Sequence, residues 1–169
     1  GLEQHALMVD CDLRRSSLAS LFNLPRDVGL VDHLRDDVDL GRLIVKTGMS
    51  KLSLIPSGAK PMNPAELLGS ARVSKMFEEL DSRYDDRFII IDTPPMLAAS
   101  ETPVLAKHVD GIILVVRWGG GGRDQLKKLV ESIDHDKIIG VVFNAFETSM
   151  IGAKLSGYHE YGQYAESYE

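Results

Sequence analysis

Five short apolar runs, separated by stretches with helical spacing or turn chemistry, constrain the fold of this 169-residue chain more than any other feature. They are "ALMVD" at 6–10, "LSLIP" at 52–56, "FIIID" at 88–92, "GIILVVR" at 111–117 and "IIGVVF" at 138–143. Each is nearly continuous in apolar residues instead of alternating, the pattern of strands covered by helices on both faces. The expectation is an α/β fold: a mainly parallel sheet with flanking helices.

The intervening segments support this. "SSLASLFNL" and "GLVDHLRD" place apolar residues three and four apart, and "RDQLKKLVESI" follows the glycines of 119–122 with the same spacing. "NPAELLGSARVSKMFEELDSRY" reads as one helix, with Asn63 as its cap, Pro64 in the first turn, and Leu67, Leu68, Val73, Phe77 and Leu80 as its apolar stripe. From Met150 onward the periodicity is weak and tyrosines recur among Gly, Glu, Gln, His and Ser, so a mobile, exposed tail is expected. The organisation expected is one domain over residues 1–149 and a tyrosine-rich tail over 150–169.

Composition removes several classes of function. Lys and Arg number 19 against 25 Asp and Glu, a formal charge of -6, which argues against a general grip on nucleic acid or anionic lipid. The single Cys11 cannot form an internal disulfide, so a reducing cytoplasm is the expected location. No apolar run approaches the roughly 20 residues of a membrane-spanning helix, so direct membrane insertion is not expected.

Chemistry concentrates where strands end. Asp10 and Asp12 close the first run and Asp92 closes "FIIID", followed by Pro94 and Pro95. In an open parallel sheet, ligands bind beyond the carboxyl ends of the strands. An apolar strand ending in Asp offers a hard cation such as Mg2+ a fixed oxygen ligand. The plainer alternative is that these aspartates cap turns. Arg14 and Arg15 likewise read either as phosphate or acidic-partner contacts or as solvated arginines.

These residues, taken in order, resemble a known family. "LMVDCDLRRSSL" is similar to the second nucleotide-binding motif of the bacterial tyrosine autokinases (BY-kinases), P-loop NTPase-like enzymes that regulate exopolysaccharide and capsule assembly. "FIIIDTPP" resembles their Walker B strand, "LIPSGAKPMNPAELLGS" the loop and helix between the two, and "GVVFNAF" their last strand. The resemblance spans about residues 6–147, and the tyrosine-rich terminus extends it. It implies ATP- and Mg2+-dependent transfer of the γ-phosphoryl group to tail tyrosines of a neighbouring subunit, here Tyr158, Tyr161, Tyr164 and Tyr168. It implies that Asp10, Asp12 and Asp92 are the active-site carboxylates, with Asp12 and Asp92 near the metal. Either Asp10 or Asp12 would orient or deprotonate the acceptor hydroxyl. Asn144, after the last strand, would read the adenine or simply terminate the strand. The implied partners are further copies of the chain and a membrane activator or polysaccharide co-polymerase, and either a partner or a missing segment would hold it at the inner face of the membrane.

One motif of the family is absent. No "GxxxxGK[ST]" occurs, and "GGGGRDQL" lacks the Lys-Ser or Lys-Thr that such a loop needs. In the family this loop precedes the second motif, so the sequence reads as a fragment lacking the P-loop strand. Either a gap or a closed-up sheet is then expected between residues 88–92 and 111–117, with poor ATP binding by the chain alone. The other readings are a non-catalytic docking and phosphoacceptor module, and a related ATPase that positions chromosomes or division proteins.

Overall fold

The computed structural model describes residues 4–118 and 122–145, and the chain divides after Pro94 into two compact units. The tail tyrosines Tyr158, Tyr161, Tyr164 and Tyr168, the glycines 119–121 and the 149/150 boundary lie outside the described residues.

The first unit is built on a four-stranded sheet. Its strands are β1 (His5–Asp10), β2 (Val45–Lys46), β3 (Leu52–Ile55) and β4 (Arg87–Asp92), in the order β2-β3-β1-β4. β1 runs parallel to both neighbours, and only the two-residue β2 is antiparallel. The short helices α1 (Leu18–Leu21), α2 (Leu30–Asp36) and α3 (Leu40–Leu43) lie between β1 and β2, and α4 (Pro64–Leu68) and α5 (Ala71–Arg83) lie between β3 and β4. Leu7 and Val9 of β1, Leu54 and Ile55 of β3, Leu30 and Leu34 of α2, and Val73, Met76 and Leu80 of α5 are buried. Each full burial contributes roughly 1.5–3 kcal/mol.

The single helix expected over 63–84 is two. α4 ends at Leu68 and α5 starts at Ala71, with Ser70 in extended backbone between them. Gly69 and Ser70 interrupt the hydrogen bonding although the apolar spacing runs on across the break. Asn63 stands at the N-cap but makes no cap bond; its side-chain amide donates to Glu66 at 2.6 Å instead.

The second unit carries α6 (Thr102–Leu105), β5 (Ile112–Arg117), α7 (Arg123–Glu131) and β6 (Ile138–Asn144), with β5 and β6 paired in parallel. Hydrogen bonds thus join the described strands into two sheets, and β4 and β5 are not neighbours in either. No described helix is long and apolar enough to cross a membrane.

Cover on both faces does not extend to every strand. Phe88 and Ile90 on one face of β4 are exposed, as are Ile113 and Val115 on one face of β5, whereas the central β1 buries Leu7 and Val9 completely. Continuous apolar runs report that a strand can be covered twice, and here the outer strands are covered once. Exposed apolar residues on a sheet with an unpaired edge favour self-association. The isolated chain is therefore expected to enhance the fluorescence of an apolar dye and to sediment faster as concentration rises, and Phe88→Thr with Ile90→Thr to reduce both effects.

Candidate functional site: carboxylates at the end of the central strand

β1 and β4 are in register to their last residues, which places Asp10 directly opposite Asp92. The Cys11 amide donates to the Asp92 carbonyl at 2.9 Å, so the pairing continues one residue past the strand. The chain then turns tightly. The Asp12 carboxylate accepts the amides of Arg14 at 3.2 Å and Arg15 at 3.0 Å, and the Ser16 amide donates to the Asp12 carbonyl at 2.9 Å. The apolar strand followed by Asp-Cys-Asp therefore brings all three predicted carboxylates to the carboxyl edge of the parallel sheet.

The two aspartates of the turn differ in kind. Asp12 Oδ1 is engaged in capping, as the plainer reading of the sequence expects. Asp10 is fully buried; its Oδ1 accepts the Asp12 amide at 3.2 Å, and its Oδ2 has no hydrogen-bond partner among the described residues. An unsatisfied buried oxygen costs roughly 1–3 kcal/mol, and more when charged. Turn capping does not account for it. Burial, then the nearby Asp92, push the Asp10 carboxyl up to about 7, against the opposing pull of the Asp12 and Leu18 amides. Asp92 is also raised, by burial and then by Asp12. The Cys11 thiol between the two aspartates is buried and pushed well above its ordinary range by desolvation, so it is chemically quiet.

Among the described residues no group of three or more His, Cys, Asp or Glu side chains forms a ready metal cage. Mg2+ retains water and takes one or two carboxylates together with substrate phosphates. Asp12 and Asp92 fit that donor set, and the orphaned oxygen of Asp10 lies beside it.

Asn144 belongs to the second unit. It is the last residue of β6 rather than the residue after it, and its side-chain oxygen accepts the Ala145 amide at 2.8 Å. Its carboxamide thus closes the strand-end turn, with Ala145 in the left-handed region. Arg14 and Arg15 contribute their main-chain amides to the Asp12 cap.

The sequence reading missed a buried polar contact at this edge. Ser57, just beyond β3, is 1% exposed, and its hydroxyl donates to Ser16 Oγ at the end of the Asp12 turn. The available signal was a serine next to a glycine where a buried strand ends.

No family model matches the chain. It is 32% identical over 163 residues to the tyrosine-protein kinase CpsD of Streptococcus agalactiae, covering 95% of this chain and 68% of that protein. The VpsO kinase domain superposes with a TM-score of 0.76 at 31% identity, covering 86% of this chain and 72% of that one. The septum site-determining protein MinD of Pyrococcus horikoshii, at 20% identity and a TM-score of 0.61, shares the fold alone. A carboxylate-tipped parallel sheet and identity above 30% across most of the chain lead to the same conclusion: the chain belongs to the family of bacterial tyrosine-protein kinases.

Proposed function

We propose that this chain supplies the carboxylate half of an ATP-dependent tyrosine autokinase of exopolysaccharide assembly, with Asp10 taking the proton of the acceptor tyrosine. The observation that carries this is the buried, unpartnered Oδ2 of Asp10 opposite Asp92. A carboxyl held near neutrality is matched to proton acceptance at working pH. As the tyrosine oxygen bonds to the γ-phosphorus, the bond from that phosphorus to the ADP oxygen breaks, and the phenolic proton passes to Asp10. Mg2+, when bound with ATP, neutralises charge on the phosphates. Asp12 and Asp92 are the residues that would hold it.

The acceptors proposed are Tyr158, Tyr161, Tyr164 and Tyr168 of a neighbouring copy. Glu160 and Glu166 lie among them, and each added phosphate contributes roughly -1.5 to -2 charges, enough to weaken association of acidic subunits. Asn144 is proposed toward the adenine, which requires its bond to Ala145 to be exchanged for one to the base. Oligomeric copies of the chain and a membrane co-polymerase are the partners proposed, the latter holding the kinase at the cytoplasmic face.

The absence of "GxxxxGK[ST]" favours a second reading, in which the chain is a docking and phosphoacceptor module. One experiment separates the two. The chain is incubated with ATP and Mg2+, alone and with an intact kinase of the family, and phosphotyrosine is mapped by mass spectrometry. The expected result is no turnover alone and modified tail tyrosines in the mixture. Turnover by the chain alone at a kinase-like rate, on the order of 1–100 per second, would overturn the expectation that a P-loop must be supplied. Unmodified tyrosines in the mixture would count against both readings. Asparagine in place of the aspartate that matches Asp10, in that intact kinase of the family, is expected to abolish transfer; retained transfer would remove Asp10 as the proton acceptor.

A further inference from the structure

The bond between Ser57 and Ser16 joins residues 41 apart and links the two strand ends that border the carboxylates. β1 and β3 are adjacent and parallel, with Val9 opposite Ile55, so the turn after β1 and the loop after β3 leave the sheet side by side. We propose that Ser57 is a positioning residue: its hydroxyl fastens the Asp12 turn to the rigid end of β3 and so fixes where Asp10 and Asp12 point. This rests on the reading of those aspartates as the working groups of the kinase site.

The anchor is itself well held. The Pro56 carbonyl accepts the Leu30 amide at 2.8 Å, and the Ser57 carbonyl accepts the Val31 amide at 2.9 Å, so the first residues of α2 clamp the loop. Pro56, Ser57 and Gly58 are all buried. On the other side the tether runs through main chain. Ser16 donates its amide to the Asp12 carbonyl, and the Asp12 amide donates to Asp10 Oδ1. Moving Ser16 therefore moves the groups that orient both carboxylates.

A serine present only to satisfy itself would bond locally. The local acceptor exists, since the Gly58 carbonyl lies 3.4 Å from the Ser57 hydroxyl, yet the hydroxyl reaches Ser16 as well. The turn it holds is otherwise closed by its own bonds, from the Arg14 and Arg15 amides to the Asp12 carboxylate and from the Ser16 amide to the Asp12 carbonyl. Ser17, which follows it, makes no side-chain cap bond to α1.

The test uses the 169-residue chain with Ser57→Ala, Ser16→Ala, the double variant and Ser57→Thr. Ser16 is half-buried, so its replacement removes the same bond without disturbing the core. Amide hydrogen exchange at Arg14, Arg15 and Ser16 is expected to quicken about tenfold in each single alanine variant, no further in the double, and to return toward wild type with threonine. Exchange within α5 is expected to stay constant. Binding of Mn2+, used as the probe for Mg2+ and followed by its electron resonance signal, is expected to weaken at least about fivefold in both alanine variants. Unchanged exchange at residues 14–16 in Ser57→Ala, or additive effects in the double variant, would overturn the proposal. Faster exchange with unaltered Mn2+ affinity would overturn the positioning role while leaving the tether. If wild type takes up no Mn2+ at all, the metal assignment of the aspartates fails, and the exchange data still decide the tether.

Discussion

Asp10→Asn is expected to stabilise the chain at pH 8 by about 2–4 kcal/mol over wild type and to change its stability little at pH 4. The folded chain holds the Asp10 proton until about pH 7, against an ordinary carboxyl value of 3.8, because burial and then Asp92 disfavour the charged form. Between those values the native state keeps a proton that the unfolded chain has released. Stability is therefore fully present below about pH 4, falls as the pH rises toward 7, and levels off above it. Asparagine mimics the protonated side chain, so the variant escapes that loss. Urea unfolding at pH 4, 6 and 8 measures it, and a difference between variant and wild type that does not grow with pH would refute the argument. The same change removes the proposed proton acceptor, so stability gained here at neutral pH should accompany transfer lost when the matching aspartate of an intact kinase of the family is changed. That opposition is what a carboxylate retained for chemistry produces, and a carboxylate retained for structure would show the reverse.

The carboxylate site was legible because its signal is local. An apolar run that closes on aspartate fixes both the strand and the edge at which the side chain emerges, and β1 and β4 place Asp10 and Asp92 opposite each other, as two such runs in one parallel sheet would. The difference between Asp10 and Asp12 was not legible. It depends on which oxygens the turn amides of Arg14 and Arg15 occupy, which the motif does not encode. The division between α4 and α5 was hidden because Leu67, Leu68, Val73 and Leu80 keep their apolar spacing across Gly69 and Ser70. The two-residue β2 is too short to show periodicity. The exposed faces of β4 and β5 depend on which elements cover them, whereas the sequence reports only that each strand tolerates cover. Ser57 and Ser16 meet across 41 residues, a separation at which no spacing rule operates.

The glycine that holds this edge together gives the second large effect. Gly29→Ala is expected to destabilise the chain by about 3 kcal/mol, through close approach and not through backbone conformation. Gly29 has φ -177, extended backbone open to any residue. A methyl group there would lie 2.2 Å from the Pro56 carbonyl oxygen and 2.4 Å from the Gly58 nitrogen, and neither is the end of a flexible side chain. Main chain must yield, and the bonds from Leu30 to Pro56 and from Val31 to Ser57 are the ones that would stretch. Gly58 cannot easily absorb the shift, since its φ of 86 keeps it in the left-handed region and its own added Cβ would stand 3.0 Å from the Gly29 nitrogen. Gly48→Ala supplies the contrast: φ is 84 but the space around it is open, so only the backbone penalty of about 1 kcal/mol applies. Chemical denaturation of the two variants should rank Gly29→Ala well below Gly48→Ala, and equal stabilities would show that the loop after β3 yields freely. A freely yielding loop could not anchor Ser57, so this comparison of two glycines also bears on whether the end of β3 is rigid enough to hold the Asp12 turn.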